Sequence, residues 1–79
     1  MERNDIILKL KSILTVALEH DNFEITDDLT AKDVDGWDSL SHMMIISQIE
    51  KDFGIKFNLR DLNKLNNVGA LIDVIQTKL

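Results

Sequence analysis

Asp35-Gly36-Trp37-Asp38-Ser39-Leu40 joins an acidic, irregular stretch to a strongly apolar one. Asp38 carries the short acceptor side chain favoured at a helix N-cap, and Gly36 lets the approaching backbone bend. With Asp38 as cap, Ser39 becomes the first helical residue. Its hydroxyl then sits at the positive end of the helix dipole, among backbone N–H groups that lack intrahelical partners. A phosphate esterified to Ser39 would be stabilised there, and a loop-helix corner leaves it open to a modifying enzyme. Leu40 is expected to point inward and fix the helix.

Beyond Ser39, the residues Leu40, Met43, Ile46, Ile49 and Phe53 fall on one side of a helix over 39–53, with Met44 and Ile45 widening the stripe. Gly54 is its expected stop. The pattern Gly36-x-Asp38-Ser39-Leu40, followed by this stripe, resembles the attachment site of acyl carrier proteins, and the resemblance extends over nearly the whole chain. It implies that Ser39 receives a 4′-phosphopantetheine arm from coenzyme A, with Trp37, Asp38 and Leu40 as supporting residues. A separate phosphopantetheinyl transferase makes that attachment in the family, the serine oxygen attacking the β-phosphate of coenzyme A. A ligase or acyltransferase then loads the arm's thiol with an acyl or aminoacyl group as a thioester.

The same resemblance makes helix 39–53 the main recognition surface, with His42, Met43, Met44 and Glu50 as partner contacts, and gives it a cavity able to shelter an acyl chain. Two departures stand out. Trp37 replaces a smaller apolar residue; it is expected to pack against the loop, or alternatively to lie beside the arm and contact it or a partner. The helix also lacks the repeated acids of the fatty-acid type, since Ser41, His42, Met44, Ser47 and Gln48 fill its first turns and Glu50 and Asp52 are its only acids. Partners that need a strongly acidic helix are expected to bind less well, which tilts the reading towards a free-standing carrier for a specialised biosynthetic pathway. Met44 is either core filler or an adaptable exposed contact.

Composition agrees with one small domain over 1–79. A chain of 79 residues buries only about 60% of its unfolded surface, and its 44% hydrophobic content fits a folded bundle rather than a disordered tail. There is no cysteine, so neither a disulfide framework nor a thiolate metal site is available. The formal charge of −5, with scattered Lys and Arg, argues against nucleic acid. Lys9 and Lys11 interrupt the early apolar segment, so neither a signal peptide nor a membrane span is expected and a cytoplasmic location follows; the chain is expected to be a monomer. Glu19, Asp21, Glu24, Asp27, Asp28, Asp33, Asp35 and Asp38 crowd the stretch before Ser39 against Lys32 alone, a surface that would steer basic partners.

Along the chain, Ile6, Leu10, Ile13, Leu14 and Ala17 mark one face of a helix over about 3–19, capped by Asn4 or Asp5. The connection from His20 to Asp38 is long, and Phe23, Ile25, Leu29, Val34 and Trp37 are expected to anchor it to the core. His20 is assigned a structural role. Ile55 and Phe57 form an extended link, Asn58 caps a short helix with Leu59, Leu62 and Leu65, and Asn67 caps a final helix carrying Val68, Leu71, Ile72, Ile75 and Leu79. The expected fold is all-α: a small bundle of three main helices plus one short helix, with a long first loop.

The residues exclude two other chemistries. Setting Gly36 at the glycine of a calcium loop puts Asp33 and Asp35 on ligand positions, but places Ala31 and His42 where its first and last carboxylates belong. No metal site follows. Ser39 and His42 could share a helix face in a small hydrolase, but the G-x-S-x-G elbow is missing and so small a domain can scarcely build an oxyanion hole. His42 is instead placed at the partner interface, where approaching acids would raise its pKa. A non-catalytic interaction module, docking through helix 39–53 with Ser39 bare, is the alternative function.

Overall fold

The computed structural model describes residues 1–79. Four helices follow one another: α1 (Arg3–Leu18), α2 (Ser39–Phe53), α3 (Leu59–Leu62) and α4 (Val68–Lys78), with a 3₁₀ turn at Ala31–Asp33 in the long loop. There is no strand, and no helix is long and apolar enough to cross a membrane.

The core forms where three apolar stripes meet. Ile6, Leu10 and Leu14 of α1, Ile45 and Ile49 of α2, and Ile72 and Ile75 of α4 are completely buried. Burying an aliphatic side chain of this size contributes about 1.5–3 kcal/mol, so these residues dominate the stability of the bundle. Leu18, rather than Ala17, closes the α1 stripe. The cap of α1 lies earlier than the sequence suggests. Glu2 occupies that position without a side-chain cap bond, while its carbonyl accepts the N–H groups of Asp5 and Ile6. Arg3 holds this end of α1 instead, donating to Asp27 of the loop at 2.8 Å and to Asp73 of α4 at 2.9 Å.

The long loop is anchored as expected, with Val34 buried and Phe23, Ile25, Leu29 and Trp37 packed against the core. Polar bonds fix its path. His20 Nδ1 accepts the N–H of Asn22, so its Nε2 carries the hydrogen and donates to the carbonyl of Asp35 at 2.7 Å. This clip joins the start of the loop to its last turn, and gives His20 the structural role expected of it. Farther along, Leu29 and Asp27 offer their carbonyls to the N–H groups of Val68 and Gly69 at the start of α4.

Helix α2 is rotated relative to the expected stripe. Its buried residues are Ser41, Ile45, Ile46, Ile49 and Phe53, whereas Leu40 is 75% exposed and Met43 and Met44 are 53% and 54% exposed. The expectation that Leu40 points inward is therefore corrected. Ser41 is turned into the protein by its hydrogen bonds to Gly36 and Asp38, and each helical step rotates the side chain by about 100°. That rotation carries Leu40 out. Gly54 ends the helix with φ 67°, as a left-handed C-cap.

Helix α3 is a single turn. Asn58 accepts the N–H of Asp61 at 2.8 Å, and Asp61 returns a bond to the N–H of Asn58 at 2.9 Å. Leu65 lies beyond this helix, yet packs against the core. Asn67 caps α4 by accepting the N–H of Ala70 at 2.8 Å, and Leu79 follows the last helical residue with half its surface exposed. Lys78 reaches Asp61 at 2.7 Å and ties the end of α4 to α3.

Candidate functional site

The corner before α2 is built from a reciprocal cap. Asp38 Oδ1 accepts the N–H of Ser41 at 2.9 Å, and the N–H of Asp38 donates to Ser41 Oγ at 2.9 Å. Ser41 Oγ in turn donates to the carbonyl of Gly36 at 2.7 Å. Gly36 stands at φ 82°, a conformation that costs a residue with a Cβ about 1 kcal/mol or more. These bonds fix the entry to α2. The backbone N–H of Ser41 holds the Asp38 carboxyl below its ordinary pKa, so it stays ionised and capped.

Ser39 follows this cap directly and is exposed. The side-chain bonds of the corner engage Trp37, Asp38, Ser41 and His42 and leave the Ser39 hydroxyl free. Beside it lies an open hollow of about 470 Å³, lined by Ala31, Trp37, Asp38, Ser39, His42 and Met43. Five residues singled out from the sequence thus meet in one place. Leu40, Met44 and Glu50 lie outside it.

Trp37 and His42 form a unit at the wall of this hollow. The indole N–H donates to His42 Nδ1 at 3.1 Å, with ring centroids 6.2 Å apart and planes inclined by 25°. His42 is half-buried, and burial pushes its pKa below the ordinary value. The condition for a raised pKa, an approaching acid, is not met here, and withdrawal of water is the cause of the shift. The ring is not a base for Ser39: with Nδ1 accepting the Trp37 N–H, the neutral ring carries its proton on Nε2 and has no acceptor left to take one from the serine.

Glu50 lies farther along α2, with Oε2 accepting the N–H of Phe57 at 2.8 Å. That bond fastens the link between α2 and α3. Several loop acids are likewise engaged: Asp27 by Arg3, and Asp33 by the N–H and hydroxyl of Thr30 at 3.0 Å. The acidic stretch is thus partly a set of staples, one local at Thr30 and one reaching back to α1. Ser41 is the site residue that sequence reasoning missed as such. Its signal was present, an Asp followed three residues later by a hydroxyl side chain at a helix start.

A free serine hydroxyl at the first position of a fifteen-residue helix, beside an open hollow, is compatible with an esterified phosphate. A family described as the phosphopantetheine attachment site matches residues 8–75. The acyl carrier protein of Thermotoga maritima is 34% identical over 77 residues, which cover 98% of this chain and 95% of that protein. The acyl carrier protein of an Exiguobacterium species is 33% identical over 79 residues, 100% of both chains. The solution NMR structure of a holo acyl carrier protein from Geobacter metallireducens matches with a TM-score of 0.85 at 40% identity, over 91% of this chain and 83% of its own. This chain therefore belongs to the acyl carrier protein family, a carrier without catalytic machinery of its own whose prosthetic group is phosphopantetheine.

Proposed function

We propose that Ser39 is the attachment residue, and that the domain over 1–79 works as a free-standing monomeric carrier in the cytoplasm, serving a specialised biosynthetic pathway. The observation that carries the assignment is the exposed, unbonded hydroxyl of Ser39 at the start of α2, two residues before a buried Ser41 whose hydroxyl is fully engaged. When bound, the group supplies a terminal thiol that holds acyl groups as thioesters. The residues of this chain do the remaining work. Asp38 and Ser41 hold the corner rigid, Gly36 shapes its approach, and Trp37 with His42 walls the adjacent hollow.

The partners are a phosphopantetheinyl transferase, a ligase or acyltransferase that loads the thiol, and the enzymes that use the cargo. They meet α2 at Leu40, Met43 and Met44, with His42 beside them and Glu50 at the far end, one of its oxygens already accepting the Phe57 N–H. The specialised pathway is supported by the neutral first turns of α2, where Ser41, His42, Ser47 and Gln48 offer no carboxylate to a basic enzyme surface. Tethering raises the local concentration of cargo, so each enzyme needs to recognise only the carrier and the thioester.

Intact-protein mass spectrometry after incubation with coenzyme A, magnesium and a broad-specificity phosphopantetheinyl transferase tests this reading. One added phosphopantetheine on the parent and none on Ser39→Ala is expected. No addition to the folded parent would favour an unmodified interaction module, which the exposed apolar face of α2 also permits.

A further inference from the structure

His42 stands three residues after Ser39, on the same side of α2, and both line the same hollow. An indole nitrogen is only a donor, so His42 Nδ1 must accept from Trp37 and the neutral ring keeps its proton on Nε2. That Nε2–H has no partner within the protein. Every buried side-chain nitrogen and oxygen is satisfied, so the unpartnered Nε2 must open to solvent. Trp37 therefore fixes the tautomer of a ring that lines the hollow bordered by Ser39, at the N-terminal end of a helix, where the dipole already favours negative charge.

We infer that His42 is a positioning residue for the phosphate on Ser39, with its Nε2–H donating to a phosphate oxygen and its tautomer and ring plane set by Trp37. The inference rests on Ser39 being the attachment residue. It gives Trp37 a role beyond packing the loop, since without the indole N–H either imidazole nitrogen could carry the proton. Holding the ester at the root of the arm restricts the directions in which the arm can leave the corner.

The charged surroundings of His42 are sparse. On its open side Asp38 is the one charged lining residue, and its carboxylate is engaged by Ser41. On its inner side a cavity of about 70 Å³, formed with Leu29 and Thr30 of the loop, Leu65 and Asn67 of the α3–α4 link, and Leu71 of α4, contains no charged lining residue. A phosphodiester anion would be the dominant new charge at this ring, and it would favour the protonated form.

The test is an NMR titration of the His42 imidazole in the unmodified protein and in protein shown by mass to carry phosphopantetheine on Ser39. The expected result is a midpoint at higher pH in the modified form, with the phosphorus resonance of the diester moving through the same midpoint. His42→Phe should abolish the pH dependence of that resonance. His42→Gln, which keeps a donor but cannot titrate, should give a resonance displaced from that of His42→Phe and constant with pH. A ring that only packs the corner would titrate identically in the two forms with a flat phosphorus resonance, and that result overturns the inference while leaving Ser39 as the attachment residue. If the wild-type protein acquires no phosphopantetheine on Ser39, the attachment reading and this inference fall together. Both titrations on the wild type decide the matter even if His42→Phe does not fold.

Discussion

The carbonyl of Asp27 accepts the N–H of Gly69 at 2.9 Å, and a Cβ built on residue 69 would lie 2.8 Å from that same oxygen. With the neighbouring bond from Val68 to Leu29 at 2.8 Å, this contact satisfies two of the N–H groups that the first turn of α4 leaves without helical partners. The loop is strapped to α4 through them. Its far end then arrives at Gly36 and Ser39 in a fixed direction.

Gly69→Ala should destabilise the protein. Crowding against loop backbone costs about 1–3 kcal/mol and a lost hydrogen bond about 1 kcal/mol, against a gain of about 1 kcal/mol for replacing a helical glycine. A net loss of about 1–3 kcal/mol is expected in a urea titration. A variant as stable as the parent would show that the loop yields freely at Asp27.

Two serines separated by a single residue should behave oppositely. Ser39→Ala removes an exposed, unbonded hydroxyl and should change stability by less than about 0.5 kcal/mol. Ser41→Ala removes the acceptor for the Asp38 N–H and the donor to Gly36, and should cost about 1–2 kcal/mol. Equal melting temperatures for the two variants would contradict the cap described here.

The Asp38 carboxyl, held below its ordinary pKa chiefly by the Ser41 N–H, sets an acid limit. A depressed folded pKa contributes stability that is present above the unfolded value, about 3.9, and is lost as pH falls through the folded one. Melting temperatures followed downward from pH 5 should fall more steeply for the parent than for Asp38→Asn, which keeps a capping oxygen without a titrating group. Parallel curves would rule out this contribution.

His42 sets a second pH dependence at higher pH. Burial lowers its folded pKa, so the folded protein binds fewer protons than the unfolded chain. Stability is then full above the unfolded value of about 6.5 and falls as pH drops from there through the folded value. Trp37 is the single tryptophan, so its fluorescence reports the same event as protonated Nδ1 ceases to accept the indole N–H. Both signals should flatten in His42→Gln. A fluorescence trace without an inflection below pH 6.5 in the unmodified parent would refute the coupling.

The exposed face of α2 is open to a direct probe. Leu40→Glu and Met44→Glu should leave stability within about 0.5 kcal/mol of the parent, since both side chains are already exposed. Each should lower kcat/KM for modification by a phosphopantetheinyl transferase about tenfold or more, the scale of a residue that anchors an interface. Unchanged kinetics in both would move the docking surface off these residues.

Local chemistry made much of this protein legible. The period of apolar residues marked α1, α2 and α4, Asp38, Asn58 and Asn67 declared the caps of α2, α3 and α4, and Gly54 declared the end of α2. The Asp38-Ser39 junction pointed to the site because a cap and a first-turn serine are neighbours in the chain. The first cap was misread because Asn4 and Asp5 are good capping residues, whereas Arg3 and its two acids from distant segments settled where α1 begins.

What only the tertiary structure decided was orientation and pairing. Leu40 and Ile45 are equally apolar, so a widened stripe could not say which faces the core; the bonds of Ser41 to Gly36 and Asp38 turned Leu40 outward and Ile45 inward. Trp37 and His42 lie five residues apart, across a change from loop to helix, so no periodicity linked them. Asp27 and Gly69 come together only because hydrophobic burial lays the loop over α4. Periodicity and capping act through a few neighbouring residues and are written in the chain, whereas these pairings depend on the relative rotation and placement of elements, which packing alone sets.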